Sequence, residues 1–140
     1  MSISAHGVDM VECNRIAESV ERFGETFLDR VYTPRERDYC YARKNPVPHL
    51  AGRFAAKEAV LKVLGTGWTN GIAWTDIEVR NDAAGRPSVH LDGRCRAIAD
   101  EQGLATIHIS ISHIATHAIA SAIGVGTDPS GTPGVLGMGG

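Results

Sequence analysis

The stretch "GRFAAKEAVLK", residues 52–62, constrains the fold more than any other part of this chain. At about 100° per residue, Phe54, Val60, Leu61, Val63 and Leu64 spread apolar groups round more than half of a helix circumference. A helix apolar on most sides is normally buried, so the rest of the chain must be built around this one. Yet Lys57 and Glu58 stand in its middle, and charged side chains are seldom placed in a core without a reason. One reading makes Glu58 and Lys62 a solvent strip: Glu58 falls beside Phe54, and Lys62 follows Glu58 by four residues, the favourable order for an intrahelical ion pair. The other gives the carboxylate a chemical task, and the helix alone does not choose between them.

With 140 residues the chain is long enough for a single core. One domain is expected over residues 1–124, followed by a disordered tail over 125–140, because the end "GVGTDPSGTPGVLGMGG" is rich in Gly and Pro and too weakly apolar to fold by itself. A formal charge of −2 supplies no global basic field, which leaves a nucleic-acid partner without support. The cations are concentrated in the first third, where Arg15, Arg22, Arg30, Arg35, Arg37, Arg43 and Lys44 are nearly balanced by acids. Solvated salt bridges with Glu18, Glu21, Asp29 and Glu36 are the plain expectation there. No stretch approaches the roughly 18 apolar residues of a membrane span, and "MSISAHGVDM" lacks the regions of a signal peptide, so a cytoplasmic protein without membrane attachment is expected. Cys13, Cys40 and Cys95 are odd in number and widely spaced, which suggests neither a disulfide framework nor a zinc site but small buried side chains.

Local patterns supply the elements. "HGVDMVE" alternates as a short strand with Asp9 and Val11 on one face, although Asp is disfavoured in strands. Ile16, Val20 and Phe23 follow helical spacing, Gly24 interrupts, and Phe27, Leu28 and Val31 resume it. In "TPRE", Thr33 as N-cap, Pro34 at the first helical position and Glu36 three residues after the cap form a capping box, opening a helix from 34 to about 43. "NPVP" separates that helix from the central one, which "GTGWTNG" ends. "DIEVRNDAAGRPSVHL" reads as a hairpin with Gly85 and Pro87 in its turn. "DGRCRAIADEQG" is a short helix with Cys95, Ile98 and Ala99 on one side and Gly103 as its stop. In the last run two strands meet around residues 113–117, with Ile107, Ile109 and Ile111 facing one way and His108, Ser110 and Ser112 the other. The sum is an α+β fold with a mainly antiparallel sheet and helices on one face.

Asp9 on a strand and Glu58 on the central helix are the carboxylates in the least comfortable settings. As a pair they suit Mg²⁺, which takes oxygen ligands, keeps several waters and commonly uses one or two carboxylates together with substrate phosphates. Arg53, Lys57 and Lys62 add the cations that phosphate chemistry wants beside a metal. His113, at the tip after "ISIS", could bind phosphate or move a proton near neutral pH, or simply be an exposed turn residue. The remaining histidines show no paired metal spacing. A GxSxG elbow and a P-loop lysine are both missing.

Taken in order, "GVDMVECNRI", "LAGRFAAKEAVLKVLGTG", "IEVRNDAAGRP" and "HISISHIATHAIA" resemble the holo-acyl-carrier-protein synthases over residues 6 to about 124. The resemblance implies an enzyme of the phosphopantetheinyl transferase fold. It would move the 4′-phosphopantetheine group of coenzyme A to a serine of apo acyl carrier protein, with Mg²⁺, releasing adenosine 3′,5′-bisphosphate in fatty acid biosynthesis. It implies Asp9 and Glu58 as magnesium ligands and Lys62 beside the pyrophosphate, the three together forming the catalytic group. Arg53, Lys57, Gly85, Arg86, Pro87, Ser112 and His113 would contact coenzyme A, and Arg15, Arg22 and Arg30 would face the acidic carrier protein. A homotrimer with sites between neighbours is implied as well. The base that takes the serine proton stays open among Glu58, a metal-associated water and His113. Trp68 and Trp74, in "GTGWTNGIAW", are expected to be ordinary core packing. A module that binds coenzyme A or carrier protein without turnover, and a hydrolase that cleaves coenzyme A with water, are the competing readings.

Overall fold

The three-dimensional structure is a computed structural model, described for residues 1–69 and 71–127. The chain runs β1 (Ser2–Glu12), α1 (Cys13–Phe23), α2 (Glu25–Val31), α3 (Pro34–Tyr41), α4 (Pro46–Leu64), a 3₁₀ turn at Trp74–Asp76, β2 (Ile77–Asn81), β3 (Pro87–Leu91), α5 (Gly93–Glu101), β4 (Leu104–His113) and β5 (His117–Gly126). Its class is α+β. Three strands pair antiparallel in the order β1-β5-β4, and β2-β3 form a separate two-stranded hairpin. β5 carries the ladder two residues past the expected end of the domain at 124; residues 128–140 of the expected tail lie outside the described residues. No helix of the described residues is long and apolar enough to cross a membrane.

Helix α4 is the axis of the molecule, as its apolar circumference predicts. Pro46 sits in its first turn, and Gly65 closes it in the left-handed region at φ 75°, its N–H bonded to the Leu61 carbonyl. Leu50, Val60, Leu61 and Leu64 are buried along it, each contributing about 1.5–3 kcal/mol of apolar burial. The helix lies unusually close to the sheet because both surfaces are made of small residues. Ala51, Ala55, Ala56 and Ala59 on α4 face a sheet whose central strand, β5, turns Ala118, Ala120, Ala122 and Gly124 inward. In β1 the approach is closer still. A Cβ added at Gly7 would stand 2.3 Å from the Ala59 carbonyl oxygen and 2.8 Å from Lys62 Cβ, so only glycine fits there.

The small inward residues of β5 leave its larger aliphatics facing outward. Ile119 is 43% exposed, and on the paired strand Ile3, Val8 and Met10 are 69%, 48% and 63% exposed. The described part of this chain therefore leaves exposed aliphatics on the β1 and β5 part of the sheet's outer face, while β4 adds exposed His108, Ser110 and Ser112 to it. Phe23, expected inward by its spacing in α1, is also exposed, at the last position before the Gly24 break.

A second departure lies in the core. Glu36 was expected on a solvated surface, but both it and Lys57 are fully buried. The Glu36 carboxylate completes the capping box by accepting the Thr33 backbone N–H (2.9 Å) and accepts the Lys57 ammonium at 2.8 Å, both on Oε1, while Oε2 accepts the Val79 N–H at 2.8 Å. Lys57 spends its other two donors on the carbonyls of Trp74 (3.1 Å) and Ile77 (2.5 Å). One buried ion pair thus ties the start of α3 to α4 and to the entry of β2.

Candidate functional site

β1 and α4 bring Asp9 and Lys62 together and place Glu58 one helical turn before Lys62. Alternation on β1 turns Asp9 toward α4 on the same side as Gly7 and Val11, and the Gly7 contact fixes the strand against the helix between Ala59 and Lys62. Lys62 Nζ donates to the Val8 carbonyl at 2.6 Å and lies 3.4 Å from Asp9 Oδ1. Glu58 is one helical turn before Lys62, and its Oε1 accepts the indole N–H of Trp68 at 3.1 Å. Among the described residues no ion pair joins Glu58 to Lys62, although both side chains keep the solvent access that the solvent-strip reading expects. Asp9, its side chain 21% exposed, and Glu58, intermediate in burial, keep water access beside an ammonium that is 53% exposed.

Two carboxylates on rigid elements are hard oxygen donors of the kind Mg²⁺ prefers. Among the described residues no third His, Cys, Asp or Glu joins them as a cluster, so an ion held here would draw the rest of its shell from water and from a ligand's oxygens. The residues fit the group.

A separate cavity of about 180 Å³ opens at the N-terminal half of α4, lined by Tyr39, His49, Arg53, Asn81, Gly85, Pro87 and His113 among others. Four of the expected coenzyme-binding residues, Arg53, Gly85, Pro87 and His113, meet there, although three different parts of the chain supply them. Arg53 is nearly fully buried. Its guanidinium lies 4.0 Å from the Tyr39 ring centroid, Nη2 donates to Asn81 Oδ1, and among the described residues its Nε is without a hydrogen-bond partner. A buried, partly unsatisfied guanidinium at a cavity wall is a ready receptor for an anion. Arg43 covers the Tyr39 ring too, at 3.8 Å. The His113 and His49 rings meet edge to face at 5.0 Å, and burial, helped by His113, Arg43 and Arg53, holds the His49 imidazole below its ordinary value. Gly85, at φ 88°, turns the hairpin, and its carbonyl accepts the Asn81 side-chain amide at 3.1 Å. Asn81 therefore locks the turn to Arg53. Tyr39 and Asn81 go unnoticed in the sequence, and His49 is set aside there with the histidines that show no paired metal spacing; Asn81, beside the turn and opposite Pro87 in register, leaves the clearest trace.

The other expected residues are scattered. Lys57 does not reach the cavity: its three donors are engaged in the core, which corrects its placement among ligand-binding residues. Arg86 is exposed on the hairpin turn, with its backbone N–H bonded to Asp82 Oδ1. Pro87 begins β3 instead of lying in the turn. Ser112 is exposed and shares with His113 a shallow depression that also contains Met10 and Ile119 of the outer apolar face. Asp9, Glu58 and Lys62 do not line the Arg53 cavity. Arg15 and Arg22 flank a second depression on α1 beside exposed Phe23, and Arg30 is exposed on α2. Trp68 and Trp74 are half-buried and pack against the core beside α4, as expected; Trp68 stacks on Trp74 at 3.7 Å, and Trp74 on Phe54 at 4.8 Å. All three cysteines are buried, and desolvation pushes the Cys40 and Cys95 thiols up to about 11, so neither is a nucleophile at neutral pH.

A helix laid on an antiparallel sheet carries two carboxylates and a lysine toward one end and an arginine-walled cavity at the other, in an α+β protein. Residues 5–122 match the 4′-phosphopantetheinyl transferase superfamily, and the chain belongs to that family. It is 45% identical over 117 residues to the holo-[acyl-carrier-protein] synthase of Koribacter versatilis, covering 84% of this chain and 94% of that protein. Among solved structures it resembles the holo-[acyl-carrier-protein] synthase of Neisseria meningitidis at a TM-score of 0.80 and 32% identity, covering 88% of this chain and 98% of that one. The Helicobacter pylori holo-[acyl-carrier-protein] synthase in complex with coenzyme A aligns at a TM-score of 0.77 and 30% identity, over 86% of this chain and 100% of that one. Within the superfamily the chain falls with the holo-[acyl-carrier-protein] synthases, and it is a phosphopantetheinyl transferase.

Proposed function

We propose that this enzyme transfers the 4′-phosphopantetheine group of coenzyme A to a serine hydroxyl of apo acyl carrier protein. In that reaction the serine oxygen forms a bond to the phosphorus next to pantetheine, the pyrophosphate P–O bond breaks, and adenosine 3′,5′-bisphosphate leaves with the bonding electrons. The observation that carries the reading is the meeting of Asp9 and Lys62 where β1 is pressed onto α4, with Glu58 one helical turn before Lys62. Asp9 and Glu58 would hold Mg²⁺, which when bound supplies charge stabilisation to the diphosphate. The Lys62 ammonium, exposed and tethered by the Val8 carbonyl, would lie beside the phosphoryl oxygens as charge develops on the departing phosphate. The chain needs no nucleophile of its own, since the carrier supplies it. Glu58 or His113 would receive the serine proton, directly or through water.

The Arg53 cavity would take the adenosine bisphosphate end. Its cationic wall supports this, and the Helicobacter pylori relative is known in complex with coenzyme A. In one chain the cavity and the carboxylate pair are not parts of one pocket. The uncovered apolar face of β1 and β5, with His113 at its rim, supports a homotrimer in which neighbouring chains join the two halves. Arg15 and Arg22, which line a depression with Glu18 beside exposed Phe23, and exposed Arg30 on α2 would offer guanidinium groups to an acidic carrier.

The test is the intact mass of purified apo acyl carrier protein after incubation with this protein, coenzyme A and Mg²⁺. A gain of one phosphopantetheine, lost on chelation and reduced about 10²–10³-fold by Glu58→Gln, is expected. Coenzyme A binding with no gain on any of several carriers would sink the transferase reading and leave a binding module.

A further inference from the structure

The Glu58 carboxylate accepts its hydrogen bond from an indole. Trp68 Nε1–H lies 3.1 Å from Oε1, and the loop that carries Trp68 is turned back toward α4 by Gly65 and Gly67, both at positive φ (75° and 63°). The indole is clamped: its ring stacks on Trp74 at 3.7 Å and 28°, and Trp74 stacks on Phe54, one turn before Glu58 on the same helix, at 4.8 Å. The Trp74 backbone is anchored in turn, because its carbonyl accepts the buried Lys57 ammonium. Lys62, which the four-residue spacing offers as a partner for Glu58, is engaged by Val8 and Asp9 instead. We infer that Trp68 is a positioning residue for Glu58, its clamped indole N–H holding one carboxylate oxygen so that the other is presented to a divalent cation.

Indole is a donor only, so the bond cannot reverse its sense. Being held by stacking, it fixes the acid with little further loss of side-chain freedom. Removing an outer partner of this kind typically weakens metal binding by about 10–100-fold. The inference rests on the metal role of Glu58 proposed above, and the experiment separates the two.

The measurement is Mn²⁺ binding to the full chain with coenzyme A present, followed by the electron paramagnetic resonance of the free ion, alongside thermal unfolding. Trp68→Phe keeps a ring for the stack and deletes the donor; it should weaken Mn²⁺ by about 10-fold or more with its unfolding temperature close to the wild type. Trp74→Leu, which breaks the stack's centre and leaves the donor, should lower the unfolding temperature and weaken the ion less than Trp68→Phe. Unchanged Mn²⁺ affinity in Trp68→Phe, with binding lost in Glu58→Gln, overturns the role of Trp68 and leaves the metal site standing. Equal losses in Trp68→Phe and Trp74→Leu also overturn it, since loop packing alone would then account for the effect. Binding that Glu58→Gln does not alter overturns both readings. If Trp68→Phe does not fold, the same comparison is made between Trp68→Gln, which retains an N–H donor, and Trp68→Leu, which does not, and equal affinities overturn the proposal.

Discussion

Lys57 and Glu58 are adjacent in sequence and lead opposite lives. One turns into the core, where Glu36, Trp74 and Ile77 use all three of its protons, and the other turns to a half-exposed edge where it is held by an indole. Lys57→Met should cost about 3–5 kcal/mol in denaturant unfolding, because Glu36 would be left buried without its counter-charge. Where the variant is folded its Michaelis constant for coenzyme A should stay near the wild type, whereas a large rise would restore Lys57 as a ligand. His49 sets a pH dependence. Its imidazole is held below the ordinary 6.5, first by burial and then by His113, Arg43 and Arg53, so between the two values the unfolded chain binds more protons than the folded one. Stability should therefore fall as pH drops through and below about 6.5, and a His49→Gln variant should show a shallower fall in denaturant midpoint over the same range. The role of Glu36 was half legible: "TPRE" announces its capping bond, but nothing local says that the same carboxylate meets a lysine 21 residues on.

At the scale of elements, the decisive contact is β1 on α4. Gly7 brings the strand so near the helix that Asp9, two residues later, falls beside Lys62. Gly7→Ala should cost about 1–3 kcal/mol through overpacking against a backbone carbonyl that has little freedom to yield. It should also lower transfer activity more than stability alone explains, by moving Asp9 away from Lys62. Unfolding curves and transfer rates measured below the transition would separate the two effects, and wild-type values for both would refute the close approach. The hairpin works similarly: Asn81 bridges Arg53 and the Gly85 turn, so a side chain at the end of β2 shapes a cavity on α4. The strands, their faces and the capping box could be read from periodicity and turn chemistry. The distance between elements could not, because it depends on which small residues oppose one another.

For the whole molecule, the outer face of the main sheet is the feature to explain. Val8, Met10 and Ile119 are exposed on neighbouring strands, with Met10 opposite Ile119 in register. A charge placed there should break the proposed trimer: Met10→Lys should shift the sedimentation of the protein from trimer toward monomer and abolish transfer with it. A monomeric variant with full activity would show that one chain holds the complete site.

The sequence by itself determined the buried central helix, the α+β class, the capped helix, the hairpin and, through the order of its motifs, the family. Those signals are local: period, caps, turn residues and short motifs are set by neighbours along the chain. Tertiary structure decided the fates of the charges. It withdrew Lys57 into an ion pair with Glu36, gave Lys62 to Asp9 and Trp68 to Glu58, and gathered Tyr39, His49 and Asn81 round Arg53. The sequence carries no local mark of such pairings, because a charge is satisfied by whatever the packed fold brings within about 3 Å, and that partner is set by contacts between distant segments.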